Sequence, residues 1–214
     1  MASKPAKKDD TLDLLEQIGV TGARSASSAL TLLMKKRVDA YTPQVQIIPV
    51  TELKNSTLLK DSSVGVYLPV RGGRNTLIAV LFDRDNTLRL IDALDNKPSG
   101  TTVFIGEYNQ SVIKEVGNIL GNAYLHALGE KIGIEMIALV PKFVFGLTDP
   151  LDVVAENRGA SSLVVIMIEN QFEIRDVRVN GKVVFFMDEA DVETAFGKHW
   201  ESTASLKKHP EPKT

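Results

Sequence analysis

Apolar positions follow two rhythms along this chain, and the alternation between them occurs twice. From Thr11 to Arg37 (TLDLLEQIGVTGARSASSALTLLMKKR) they recur at helical spacing. Short β-branched and aromatic runs follow at Val45–Val50, Gly65–Val70 and Thr76–Phe82, with Arg71–Asn75 (RGGRN) as a turn. Leu88, Ile91 and Leu94 then return to helical spacing behind Asp85 or Asn86 as a cap. The second round opens with a helix over Ser111–Leu128 and runs through Ile137–Phe145, Leu163–Ile168, Phe172–Val179 and Lys182–Phe186. It closes with a helix in DEADVETAFGKHW. Within it Asn180-Gly181 reads as a two-residue hairpin turn, because both central positions of that turn favour positive φ. The pattern predicts helix, about three strands, helix, twice over. That is an α+β fold of two pseudo-two-fold halves sharing one extended antiparallel sheet flanked by helices.

Residue identities support a duplication. At an offset of 98, Asp13 falls on Ser111, Gln17 on Glu115, Gly19 on Gly117, Val20 on Asn118 and Pro43 on Pro141. One residue further out of step, Ser62-Ser63-Val64 falls on Ser161-Ser162-Leu163. A single repeat of this length is a duplicated domain, not a solenoid. The expected organisation is one domain over 11–200, built of repeats 11–100 and 108–200, between solvated, disordered tails at 1–10 and 201–214.

At 100° per residue, Val112, Val116, Ile119 and Ala123 form one stripe of the second long helix, the side expected to pack on the core. Ser111, Glu115, Asn118 and Asn122 share the opposite side, so a carboxylate and a carboxamide stand next to each other facing solvent. By itself such a face is the wet side of any amphipathic helix.

Composition narrows the chemistry. With 25 Lys+Arg against 27 Asp+Glu, a net charge of -2 gives no electrostatic case for nucleic acid or an anionic membrane surface. The absence of cysteine excludes disulfides, thiol catalysis and cysteine metal sites. His126, His199 and His209 are too scattered for a histidine metal centre. No apolar run approaches a membrane span and the polar start lacks a signal-peptide core, so a soluble, cytoplasmic protein is expected. Arg71-Gly-Gly-Arg74 reads as a plain turn, Asp83 and Asp85 as turn and cap residues, and Trp200 as an anchor for the last helix. No Walker loop, dinucleotide glycine motif or nucleophile elbow is present.

Ser111-x3-Glu115-x2-Asn118, then 22 residues and Pro141, resembles the signature of the CheC-type chemotaxis phosphatases, the family of CheC, CheX and the related domain of the flagellar switch protein FliY. That signature is Asp or Ser, three residues, Glu, two residues, Asn, 22 residues, Pro, and the resemblance runs from about Thr11 to Phe196. It implies a phosphatase acting on the phospho-aspartate of the response regulator CheY. Asn118 would position the attacking water and Glu115 would pair with a lysine of the regulator. Ser111 would cap or support the same face, and Pro141 would set the backbone where a strand passes the helix. It also implies no cofactor of the chain's own, the Mg²⁺ being supplied by the bound CheY. In the first half Asp13 and Pro43 survive, but Gln17 and Val20 stand where the signature has Glu and Asn, so the resemblance implies one working site and one degenerate one. The expected partner is phosphorylated CheY. The alternative is a non-catalytic adaptor that binds CheY or the receptor deamidase CheD.

Overall fold

A computed structural model of the chain describes residues 8–41, 43–49, 64–72, 76–145, 163–174 and 177–197. Among the described residues both halves have the same element order. The first comprises α1 (Lys8–Met34), β1 (Val38–Ala40), β2 (Gln44–Pro49), β3 (Val64–Arg71), β4 (Leu77–Phe82) and α2 (Arg84–Leu94). The second comprises α3 (Glu107–Ile132), β5 (Ile137–Ala138), β6 (Lys142–Phe145), β7 (Leu163–Ile174), β8 (Val177–Asp188) and α4 (Glu189–Phe196). Among the described residues each half thus has four strands where the sequence predicts about three, because a short strand follows each long helix.

Among the described residues all strand pairs are antiparallel, and eight strands form one sheet in which the halves exchange edges. Strands β4 and β8 pair at the centre, each extended outward by its own hairpin partner, β3 or β7. The outermost strands cross over: β1 and β2 of the first half pair with β7, while β5 and β6 of the second pair with β3. One face of the sheet carries the main core, to which each of the described helices contributes, including Leu15 and Leu30 of α1, Ile91 of α2, Val116 and Leu120 of α3 and Val192 of α4. The other face carries a second apolar cluster around Tyr67, Leu81, Val165 and Phe186. Among the described residues, no helix is long and apolar enough to cross a membrane.

Several boundaries differ from the sequence reading. Helix α1 begins at Lys8, within the segment expected to be a tail, because nothing after Pro5 breaks a helix. The runs predicted at 163–168, 172–179 and 182–186 are two 12-residue strands. Asn180 and Gly181 lie inside β8 opposite Gln171 and Asn170, and the strand ends meet at Ile174 and Val177. Gly181 serves close packing instead of a turn: a Cβ there would stand 2.6 Å from the ring of Phe82. The cap of α2 is Asp83, whose carboxylate accepts from Asn86 N at 2.6 Å, so the helix starts one residue before Asp85. The strand registers also change the repeat step. Gln44 faces Glu169 and its counterpart Lys142 faces Tyr67, so Tyr67 takes the place of Glu169, 102 residues apart instead of the 99 read from the serine pairs. The serine pairs themselves, residues 73–75 of the RGGRN turn, His199, His209 and Trp200 lie outside the described residues.

Candidate functional site

The site is built on α3, a 26-residue helix that begins after Gly106 and ends at Gly133, whose φ of 70° lets its N–H turn back to Gly129 O. The buried side of α3 includes Ile113, Val116, Gly117, Leu120, Gly121 and Tyr124. The stripe expected from the sequence is therefore rotated: Val116 is buried, but Val112, Ile119 and Ala123 are only half-buried. The reason is close approach of the helix to β3. A Cβ on Gly117 would lie 2.5 Å from Val66 Cβ, and one on Gly121 2.9 Å from Leu68 Cδ1, so two glycines line the closest contact. Beneath the helix, Tyr124 is fully buried and its hydroxyl donates to Asn170 Oδ1. Burial pushes the phenol well above its ordinary range, so it stays neutral. Asn170 Nδ2 in turn donates to Ile168 O at 2.9 Å, tying α3 to β7.

With its inner side pinned in this way, α3 turns the expected polar face outward. Ser111, Glu115 and Asn122 are exposed and Asn118 is half-buried. Asn122 Nδ2 donates at 2.8 Å to both the carbonyl oxygen and Oδ1 of Asn118. This contact orients the Asn118 carboxamide, which retains a second lone pair on Oδ1 and the two N–H donors of its amide nitrogen. Glu115, one turn back on the same face, supplies a carboxylate. The face can therefore place an acceptor and donors beside a negative charge that attracts a cation. Ser111 does not cap the helix, which starts four residues earlier; its hydroxyl donates back to Glu107 O at 3.2 Å. Pro141 is half-buried between β5 and β6, where its missing N–H interrupts a run the sequence reads as continuous.

Sequence reasoning missed Tyr108, on the same face one turn before Ser111. Its ring is 66% exposed and its hydroxyl donates to Asp95 Oδ1 at 3.0 Å. The i, i+3, i+7, i+10 spacing through 108, 111, 115 and 118 carries the signal. A helix read from Ser111 leaves Tyr108 outside it.

The corresponding face of α1 is chemically different. Asp13 and Gln17 are exposed, and Val20 presents an apolar side chain that is 40% exposed. Together with Glu16, Thr21 and Lys131 they line a shallow hollow of about 410 Å³. Lys131, from the far end of α3, donates to Gln17 Oε1 at 3.3 Å. Pro43 is buried against α1, 3.0 Å from where a Gly19 Cβ would stand. The two faces do not merge. Gln17 sits beside Lys131, sixteen residues along α3 from Glu115, about 24 Å at the helical rise.

Fold and site together define a class: a duplicated antiparallel α+β domain with a Glu/Asn face on one long helix. A curated relative, the CheY-P phosphatase CheC of Bacillus subtilis, is 26% identical over 141 residues, which is 63% of this chain and 66% of that protein, just under two thirds of its length. Among solved structures, Thermotoga maritima FliY is similar over 97% of this chain and 100% of that one, with 16% identity and a TM-score of 0.59. The FliM middle domain from H. pylori is similar over 90% of this chain and 99% of that one, with 13% identity and a TM-score of 0.60. No protein-family model matches the chain. The chain is thus similar in sequence to CheC and shares its fold with FliY and the FliM middle domain.

Proposed function

We propose that the chain hydrolyses the aspartyl phosphate of a CheY-type response regulator. The observation that supports this most directly is the outward pairing of Glu115 with an Asn118 carboxamide already oriented by Asn122, in a relative of the CheY-P phosphatase CheC. An acyl phosphate is intrinsically labile, so positioning and charge stabilisation suffice for a large acceleration. Asn118 holds a water in line with the phosphorus. The water oxygen bonds to phosphorus as the bond to the aspartate oxygen breaks, releasing inorganic phosphate and the free carboxylate. Glu115 pairs with a lysine of the regulator and fixes the docking register. The metal ion of the reaction is the regulator's own Mg²⁺.

The test is phosphate release from the cognate phosphorylated CheY. The parent chain should accelerate it, and Asn118→Ala should lower the acceleration about 10²–10³-fold, as losing one such positioning group does. The melting curve should stay unchanged, because Asn118 lies outside the core cluster. An adaptor would bind phosphorylated CheY without speeding phosphate release, and Asn118→Ala would leave the bound lifetime of the phosphate unaltered.

A further inference from the structure

Helices α1 and α3 run antiparallel: Gln17 of α1 meets Lys131 of α3, whereas Gly22 lies against Tyr124. They are also related by the pseudo-two-fold of the sheet, which matches residues 98 apart in these helices. The inner contacts confirm the match, since a Cβ on Gly19 would meet Ile168 and one on its counterpart Gly117 would meet Val66, the equivalent residue of the other half. Applied to the Lys131–Gln17 contact, the same operation brings Leu33, the counterpart of Lys131, to the place beside Glu115, the counterpart of Gln17. The two half-sites therefore differ in a third way besides Gln17 and Val20. At the first, a lysine of the chain itself reaches the position where the signature carboxylate would stand. At the second, the symmetry-equivalent residue is a leucine, 43% exposed and unable to pair with a carboxylate.

We propose that this position is an intramolecular lock: Lys131 closes the α1 half-site by taking the place of an incoming cation, and Leu33 leaves Glu115 open to one. The inference deepens the proposed function by identifying what keeps the working site available to the regulator's lysine, and it rests on that reading for its effect on docking. A lysine carries a compact charge on a flexible stem, so it can follow its partner side chain across the groove and compete with any cation from outside. At the α1 half-site Asp13 and Glu16 also line the hollow, which holds the Lys131 ammonium there more firmly than Gln17 alone would.

The test moves the lock to the other half. In Leu33→Lys the new ammonium should pair with Glu115. The Glu115 carboxyl, followed by NMR without any partner, should then titrate at lower pH than in the parent. In phosphate release from phosphorylated CheY at low salt, KM should rise about tenfold with kcat retained, since an internal cation competes with docking and not with chemistry. Leu33→Gln, which is polar but uncharged, should shift neither the titration nor KM to a comparable extent. At high salt the Leu33→Lys effect should shrink. An unmoved Glu115 titration in a folded Leu33→Lys variant would overturn the placement of Leu33. A shifted titration with an unchanged KM would overturn the lock. Absence of phosphate release by the parent chain would instead overturn the phosphatase reading, and the titration would still decide the geometry.

Discussion

Gly117 sits between Glu115 and Asn118 in the sequence and faces away from both, against Val66. Its missing side chain is what allows α3 to lie on β3, and the height of the helix above the sheet sets where the two polar residues stand. Because Val is β-branched and stiff, it cannot turn aside for an added methyl. Gly117→Ala should therefore lift the helix, destabilise the fold by about 1–3 kcal/mol, and lower phosphate release beyond what the lost folded fraction accounts for. Denaturant titration alongside the activity assay checks both parts; a variant of parental stability and activity would show that the contact gives way easily. The repeat step made Gly19 and Gly117 visible as a pair, but not their purpose, because a glycine on a helix gives no sign of what approaches it. The Asn118–Asn122 contact is equally hidden: spacing sets both residues on one face but reports proximity and not hydrogen bonding.

Elements are joined here by polar contacts that hydrophobic periodicity does not report. Asp92, buried in the last turns of α2, accepts from Gly100 N at 2.7 Å and Thr101 N at 3.0 Å through one oxygen and from Thr102 N at 2.9 Å through the other. It thereby folds the linker between the halves back onto α2 and aims the chain into α3. Burial alone would raise its pKa, but the hydrogen bonds from Thr102, Gly100 and Thr101 outweigh burial and hold it below the ordinary carboxylate range. A depressed folded pKa contributes stability above the unfolded value that is lost as pH falls through the folded one. Asp92→Asn should therefore cost about 1–3 kcal/mol at neutral pH by weakening the acceptor for those N–H groups. The gap between variant and parent should narrow below about pH 4, which urea midpoints measured across pH would reveal. An equal gap at all pH values would show that the ionised form is not what matters. In the sequence, Asp92 looked like one more polar position in an amphipathic helix. Nearby, the same limit of periodicity misplaced the buried stripe of α3: angles around a helix axis count apolar side chains, and the true contact is made partly by glycines. The Asn180-Gly181 dipeptide misled for a related reason, since a glycine chosen for space against Phe82 looks the same as one chosen for a turn.

At the scale of the whole molecule, the duplication and the α+β class were legible because repeats and element type are written locally. The exchange of edge strands was not, because it depends on pairs such as Gln44 with Glu169 and Lys142 with Tyr67 that no local pattern links. That exchange makes each half depend on the other for its sheet, so a half can lose its chemistry without becoming dispensable. The face formed by Asp13, Gln17 and Val20 on α1 is the place to test this separation. All three are exposed, whereas Leu15 and Ile18 between them are buried at 1% exposure and carry the structural load of the helix. Asp13→Ala and Gln17→Ala should each change stability by no more than about 0.5 kcal/mol, the usual range at exposed positions. Gln17→Ala removes the contact with Lys131, but that hydrogen bond is solvent-exposed and water replaces the lost partner, so stability changes little. Phosphate release should remain at the parental rate in both variants, since α1 places these residues about 24 Å along the helix pair from Glu115. Loss of activity in either variant, with a native melting curve, would mean that the first half takes part in the reaction and that the chain works through two sites.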